Sequence, residues 1–166
     1  MSFQISGLPM ERFAYLLGMS DEELQVHGAR RIVADRHPGY PCRVSLADAQ
    51  VGERVLLVNY EHLPVQTPYR SRYAIYVREN AVETHPAIDE VPEVLRQRLL
   101  SLRAFDAAGL LREADVVEGR DLPDALDGIL AVPAIAYVHI HNAKPGCFAA
   151  QAVRVVDRPT ADKNPS

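Results

Sequence analysis

The sequence predicts an α+β fold: a mainly antiparallel, curled β-sheet carrying three or four short helices. Three observations predict it. Runs of four to ten residues rich in valine, isoleucine, leucine and tyrosine recur along the chain, and two neighbouring pairs are joined by glycine-bearing bends, as hairpins are. Helical periodicity is confined to a few short stretches. The chain is 166 residues long and 48% hydrophobic, and a chain of that size buries roughly 70% of its extended surface, enough for a core without disulfide or zinc staples.

The elements follow in order. Residues 3–5 read as a short opening strand. Pro9 suits the first turn of a helix in which Phe13, Leu16 and Leu17 recur at helical spacing up to Gly18. Ser20-Asp21-Glu22-Glu23 is a capping box, because serine can accept from the Glu23 amide while Glu23 reaches back. That helix should stop at Gly28. Residues 30–34 read as a strand, and His37-Pro38-Gly39-Tyr40-Pro41-Cys42 as a rigid loop. Residues 54–62 form a largely buried strand, and Pro64 and Pro68 bracket a second loop. Residues 72–78 form a strand with Tyr73, Ile75 and Val77 on one side and Tyr76 on the other. Residues 80–90 carry no periodicity. Pro92 opens a helix bearing Val94, Leu95 and Leu99. Residues 101–105 and 110–117 make a hairpin bent at Gly109. Asp121 is placed to cap a helix whose Leu122, Ala125, Leu126, Ile129 and Leu130 share a face. Residues 134–143 and 147–156 form the last hairpin. Residues 1–156 are expected to make one globular domain, and the polar, proline-bearing residues 157–166 a flexible tail.

Charge narrows the function. The net charge is -4, and the 16 arginines and two lysines are scattered singly or in pairs such as Arg30-Arg31. A nucleic-acid binder needs a basic patch, so no nucleic-acid partner is expected, although a pocket for one small anion is compatible with this charge. No run approaches the roughly 18 apolar residues of a membrane span, and no membrane partner is expected. The first residues lack a basic segment followed by an apolar one, which predicts a cytoplasmic protein in reducing surroundings. Cys42 and Cys147 are too few for a disulfide scaffold and read as free thiols. No G-x-G-x-x-G, P-loop or G-x-S-x-G is present.

The main chemical constellation is Tyr137-Val138-His139-Ile140-His141-Asn142. Strand alternation puts Tyr137, His139 and His141 on one face. Lys144-Pro145-Gly146-Cys147 suits a type II turn. A regular hairpin around it would set His141 opposite Ala150 and His139 opposite Ala152, with room beside the imidazoles, and would put Cys147 on the other face, nearer Asn142. H-x-H on a strand can hold a divalent transition metal if a third ligand arrives, and His62, at the end of another buried strand, is the natural third. Imidazoles hydrogen-bonded within a metal-free pocket wall are the plainer reading. A second cluster, Pro41-Cys42-Arg43 and Pro68-Tyr69-Arg70, lies at loop–strand junctions. Arg43 and Arg70 could fork onto a carboxylate or phosphate, or form ordinary ion pairs. Cys42 beside Arg43 could be a reactive thiol. In Tyr60-Glu61-His62, alternation lets Tyr60 and His62 act together and turns Glu61 away.

These residues support a pocket for a small, anionic molecule, with His139 and His141 as its floor and Arg43, Tyr60, His62, Tyr69, Arg70 and Asn142 as ligand-binding residues. One alternative is an enzyme, with His139 or His141 as general base, Cys42 as nucleophile, or a metal on His62, His139 and His141. Another is a non-catalytic protein-interaction domain.

Several segments together carry a likeness: Gly28-Ala29-Arg30-Arg31 with Ala34-Asp35, Pro41-Cys42-Arg43-Val44-Ser45-Leu46 with Asp48-Ala49 and Gly52-Glu53, Tyr60-Glu61-His62, Pro68-Tyr69-Arg70, His139-Ile140-His141-Asn142 and Gly146-Cys147. Through them the chain resembles a bacterial family catalogued as domain of unknown function 1203, across nearly its whole length. The resemblance implies a small stand-alone protein and no particular activity. One departure is Tyr73-Ala74, where similar proteins carry Gly-Pro before the strand.

Overall fold

The structure, a computed structural model, describes residues 1–156; the expected tail, residues 157–166, lies outside the described residues. The strands divide into two sheets rather than one curled sheet. The first has the order β1-β8-β7-β5-β6, built from β1 (Phe3–Ser6), β5 (Leu99–Phe105), β6 (Leu111–Glu118), β7 (Tyr137–Asn142) and β8 (Phe148–Arg154). The second has the order β2-β3-β4, built from β2 (Ala29–Val33), β3 (Arg54–Leu63) and β4 (Ser71–Arg78). Every pairing among these strands is antiparallel.

Each sheet has its own core. Leu100, Leu102 and Ala104 of β5 and Val138 and Ile140 of β7 alternate onto one face of the first sheet. There they meet Leu122, Leu126, Ile129 and Leu130 of α3 (Leu122–Leu130). The second sheet buries Leu56, Val58, Ile75 and Val77 against Phe13, Leu16 and Leu24. Leu24 comes from α1 (Asp21–Val26), whose capping box forms as expected, with the Ser20 amide donating to Glu23 and the Glu23 amide to Ser20. Phe148 of β8 belongs to this second core although its strand lies in the first sheet. The face of the first sheet that turns away from α3 therefore looks toward β3 and β4, and the imidazoles lie there.

Several local expectations are corrected. The segment after Pro9 forms two 3-10 turns, Met10–Arg12 and Ala14–Leu16, in place of an α-helix. The helix after Pro92 is one turn, α2 (Glu93–Arg96), and Leu99 begins β5, because the residue pairs with Glu118 instead of continuing a helix. Asp121 makes no capping hydrogen bond; a 3-10 turn, Gly119–Asp121, leads into α3, where Pro123 fits the first turn. The β5–β6 hairpin bends at Gly109 (φ +80°), a conformation that side chains with a Cβ rarely adopt.

The last hairpin departs most. Its loop is closed by Asn142, whose amide donates to Cys147 O while its carbonyl accepts from Gly146, which sits at φ +79°. The register runs Val138↔Ala152, His139↔Gln151 and Ile140↔Ala150, then slips by one so that His141 faces Phe148. The expected pairing of both histidines with alanines is thus replaced. The bulge inserts one residue, Ala149, and turns Phe148 onto the imidazole face. A second bulge, between Tyr60 and Leu63 of β3, falls at Glu61 and His62. None of the described helices is long and apolar enough to cross a membrane.

Candidate functional site

β7 and β3 bring three imidazoles together. The ring centroids of His62 and His141 are 5.0 Å apart, those of His62 and His139 5.9 Å, and those of His139 and His141 6.2 Å. One ring nitrogen from each lies within 4.8 Å of one from each of the others. His139 and His141 are buried and His62 is half-buried. Phe148 holds them in place: its ring stacks on His62 at 5.6 Å and an interplanar angle of 10°, and meets His139 edge-on at 4.9 Å.

The hydrogen bonds assign the protons. His141 Nδ1 lies 3.0 Å from Gly146 O, and a carbonyl can only accept, so Nδ1 carries the hydrogen. His139 Nε2 donates to Gln151 Oε1 at 3.3 Å by the same reasoning. The remaining nitrogens, His139 Nδ1 and His141 Nε2, are buried with no partner among the described residues, as is His62 Nδ1. Burial holds all three rings neutral. It pushes the pKa of His62 down from 6.5 to about 4, with help from Arg103, and that of His139 to about 4, with help from His62. His141 goes to about 3, because the charged form would lose its water and face Arg103 and the other two rings. Neutral imidazole is the metal-ligating form.

A hollow of about 220 Å³ opens on this cluster, lined by His62, Leu63, Tyr69, Ser71, Arg103, Phe105, Leu111, His139 and His141. Arg103 sits opposite His139 in the β5–β7 register, which puts the two side chains on one face. It is half-buried and has no hydrogen-bond or ion-pair partner among the described residues. Sequence reasoning missed it. The available signal was one charged residue inside the otherwise apolar run Leu99-Leu100-Ser101-Leu102-Arg103-Ala104-Phe105.

The other sequence candidates separate. Tyr69 joins the hollow and meets Phe105 edge-on at 6.0 Å. Arg70 forks onto Glu61 at 3.2 and 3.3 Å, an exposed ion pair. Tyr60 accepts from Arg12 and packs on Phe13 at 5.4 Å, so it does not join His62 in the hollow. Cys42 is buried, and its sulfur accepts from the amides of Ser45 and Arg78 at 3.4 and 3.3 Å. Arg43 is 1% exposed. It donates to Phe148 O at 2.7 Å, to Pro41 O, and to Cys147 Sγ at 2.8 Å. Burial pushes its pKa down, partly offset by the sulfurs of Cys147 and Cys42. Arg43, Asn142 and Cys147 line a separate cavity of about 670 Å³, whose wall includes Tyr73 and Ala74.

No curated protein and no solved structure matches the chain. A family model does, over residues 39–154, a span that holds His62, Arg103, His139 and His141. Its description is "Protein of unknown function (DUF1203)", and with more than two thirds of its length matched, the chain belongs to that family, as its ordered motifs led one to expect.

Proposed function

We propose that this protein binds a divalent transition metal through His62, His139 and His141 and uses the ion, together with Arg103, to hold a small anionic molecule. The observation that carries the proposal is the set of three neutral imidazoles within 4.8 Å of one another, each with a buried nitrogen left unpartnered. Leaving a buried polar group unmet costs about 1–3 kcal/mol, and an ion shared by the three rings would recover it. Neutral nitrogen ligands suit zinc, iron(II), cobalt, nickel or copper. Gln151 and the Gly146 carbonyl would act as the outer partners that fix ring orientation in such centres.

Charge and size favour an anionic ligand. All three protein ligands are neutral, and among the described residues no aspartate or glutamate lines the hollow. A bound dication and Arg103 would together leave that space strongly positive, so a carboxylate, phosphate or carbonate-like anion would complete it. A hollow of about 220 Å³ takes a ligand of up to about ten heavy atoms, since a cavity of about 150 Å³ already holds benzene. When bound, the ion would supply a Lewis acid and an activated water. The protein's own part is to orient the rings, exclude bulk water with Phe105 and Phe148, and aim the Arg103 guanidinium.

The test uses protein purified without a nickel column, stripped with chelator and titrated with cobalt(II). The expected result is one ion per chain with ligand-field absorption, lost in His139→Ala. Azide or acetate should shift that spectrum, and Arg103→Gln should keep the cobalt while weakening the anion roughly tenfold, the worth of one charged hydrogen bond. Failure of cobalt to bind, or equal binding by His139→Ala, would remove the metal. Equal azide binding with and without cobalt would remove its role in holding the anion.

A further inference from the structure

The larger cavity carries a different chemistry, independent of the imidazoles. We infer that Cys147 is a covalent docking point for a small, carboxylate-bearing disulfide, captured there by thiol–disulfide exchange. Arg43 is a fully buried guanidinium with no carboxylate within ion-pair distance among the described residues; its partners are two backbone carbonyls and the Cys147 sulfur. A cation against sulfur stabilises the negative charge that sulfur carries as it attacks. Asn142 Nδ2 also points at this sulfur, at 3.7 Å. The other end of that amide, Asn142 Oδ1, is buried without a partner, although the residue is only 5% exposed and lines the same cavity. A buried acceptor left unmet in a residue of the cavity wall calls for a ligand with an N–H or O–H donor.

The lining also selects charge. Arg36, Arg43, Arg98 and Lys144 face it, against Glu118 as the acid. Arg36 and Arg98 are ion-paired to Asp35 and Asp48, while Lys144 is exposed and has no partner among the described residues. Once its sulfur is held in a disulfide, Cys147 can carry no negative charge against Arg43, and a carboxylate brought by the ligand would supply it. In the exchange, the Cys147 thiol gives its proton to solvent and its sulfur bonds to one sulfur of the ligand. The ligand's S–S bond breaks, and the departing thiolate takes up a proton. One disulfide is consumed and one is made, so no further oxidant is needed. Both thiols are buried, but Cys147, 8% exposed, lines this cavity, while Cys42 lies outside it under two backbone amides and serves as an internal control.

The experiment exposes the full chain to glutathione disulfide and, in parallel, to cystamine, whose termini are cationic, with intact-mass and peptide-resolved readouts. The expected result is one glutathionyl group on Cys147, none on Cys42, reversed by dithiothreitol. It should form about tenfold faster than the cystamine adduct, the low end of electrostatic steering. Lys144→Glu, on the exposed loop, should narrow that ratio. An unmodified Cys147, equal labelling of Cys42, or cystamine reacting as fast overturns the inference. Chelator-treated His62→Ala protein should give the same adduct, so the outcome is separable from that of the metal proposal.

Discussion

The β7–β8 hairpin holds two buried polar clusters, one on either side of Phe148, and they resolve their burial in opposite ways. On one side the Arg43 guanidinium is enclosed, and each of its three nitrogens donates, to two carbonyls and a sulfur. On the other side, three imidazoles are packed together with nitrogens that find no partner. Both arrangements take polar groups out of water. The first is satisfied by the protein itself and so ties loop 41–43 to β8. The second is left incomplete by the protein and opens onto a hollow with an unpaired arginine. The unmet nitrogens are what support the metal site proposed for the imidazoles, whereas the Arg43 guanidinium is held as a structural cation in the wall of the cavity that Cys147 lines.

That contrast can be broken by substitution. Arg43→Leu should have the largest effect, because Phe148 O and Pro41 O each lose a donor inside the core. A loss of about 3 kcal/mol or more is expected in urea unfolding, at about 1–3 kcal/mol per unmet group. Little loss would mean that the guanidinium is not structural.

Acid should separate the clusters next. The folded imidazoles protonate only at about 4, 4 and 3, against 6.5 as the ordinary value. Between pH 6.5 and 4 the unfolded chain therefore binds more protons than the folded one. The stability of chelator-treated protein is full above 6.5 and falls as pH drops through that window. Arg43 stays charged throughout and adds no slope. Unfolding midpoints that stay flat from pH 7 to 4.5 would contradict the burial of the rings.

A smaller effect is expected at Gln151→Ala, which frees the His139 ring without removing a ligand. Metal affinity should fall roughly 10–100-fold, the usual weight of an outer partner, with the apo protein still folded. Competition with a chromophoric chelator measures it. Smallest of all, His62→Phe should change the stability of metal-free protein by no more than about 1 kcal/mol, since an apolar ring can take over the stack on Phe148 and removes an unmet nitrogen. It should nevertheless abolish cobalt binding. Strong destabilisation by His62→Phe would make the imidazole a structural group like Arg43.

Much of the fold was legible because its signals are local. Ser20 and Glu23 cap α1 through atoms three residues apart, and Gly109 bends the β5–β6 hairpin within its own turn. Period-two alternation placed His139 and His141 on one face, and the end of β3 made His62 their natural companion. The errors lie where a partner segment decides. A one-residue bulge is invisible in alternation, so the neighbours of the histidines were read as alanines when they are Gln151 and Phe148. Adjacency in sequence suggested Arg43 with Cys42, yet the guanidinium donates to the sulfur of Cys147, more than a hundred residues away. Arg103 was overlooked because only the β5–β7 register sets it opposite His139.

By itself, then, the sequence determined the strand-rich antiparallel character, the capped start of α1, the glycine bends and the shared face of the two β7 histidines, since each depends on residues a few positions apart. The tertiary structure alone decided the split into two sheets, the slipped register, the third imidazole's approach and the separation of the basic residues into an enclosed cation and an open one. Those depend on which distant segments pack together, and packing is selected by the summed burial of the whole chain, a quantity that no short stretch contains.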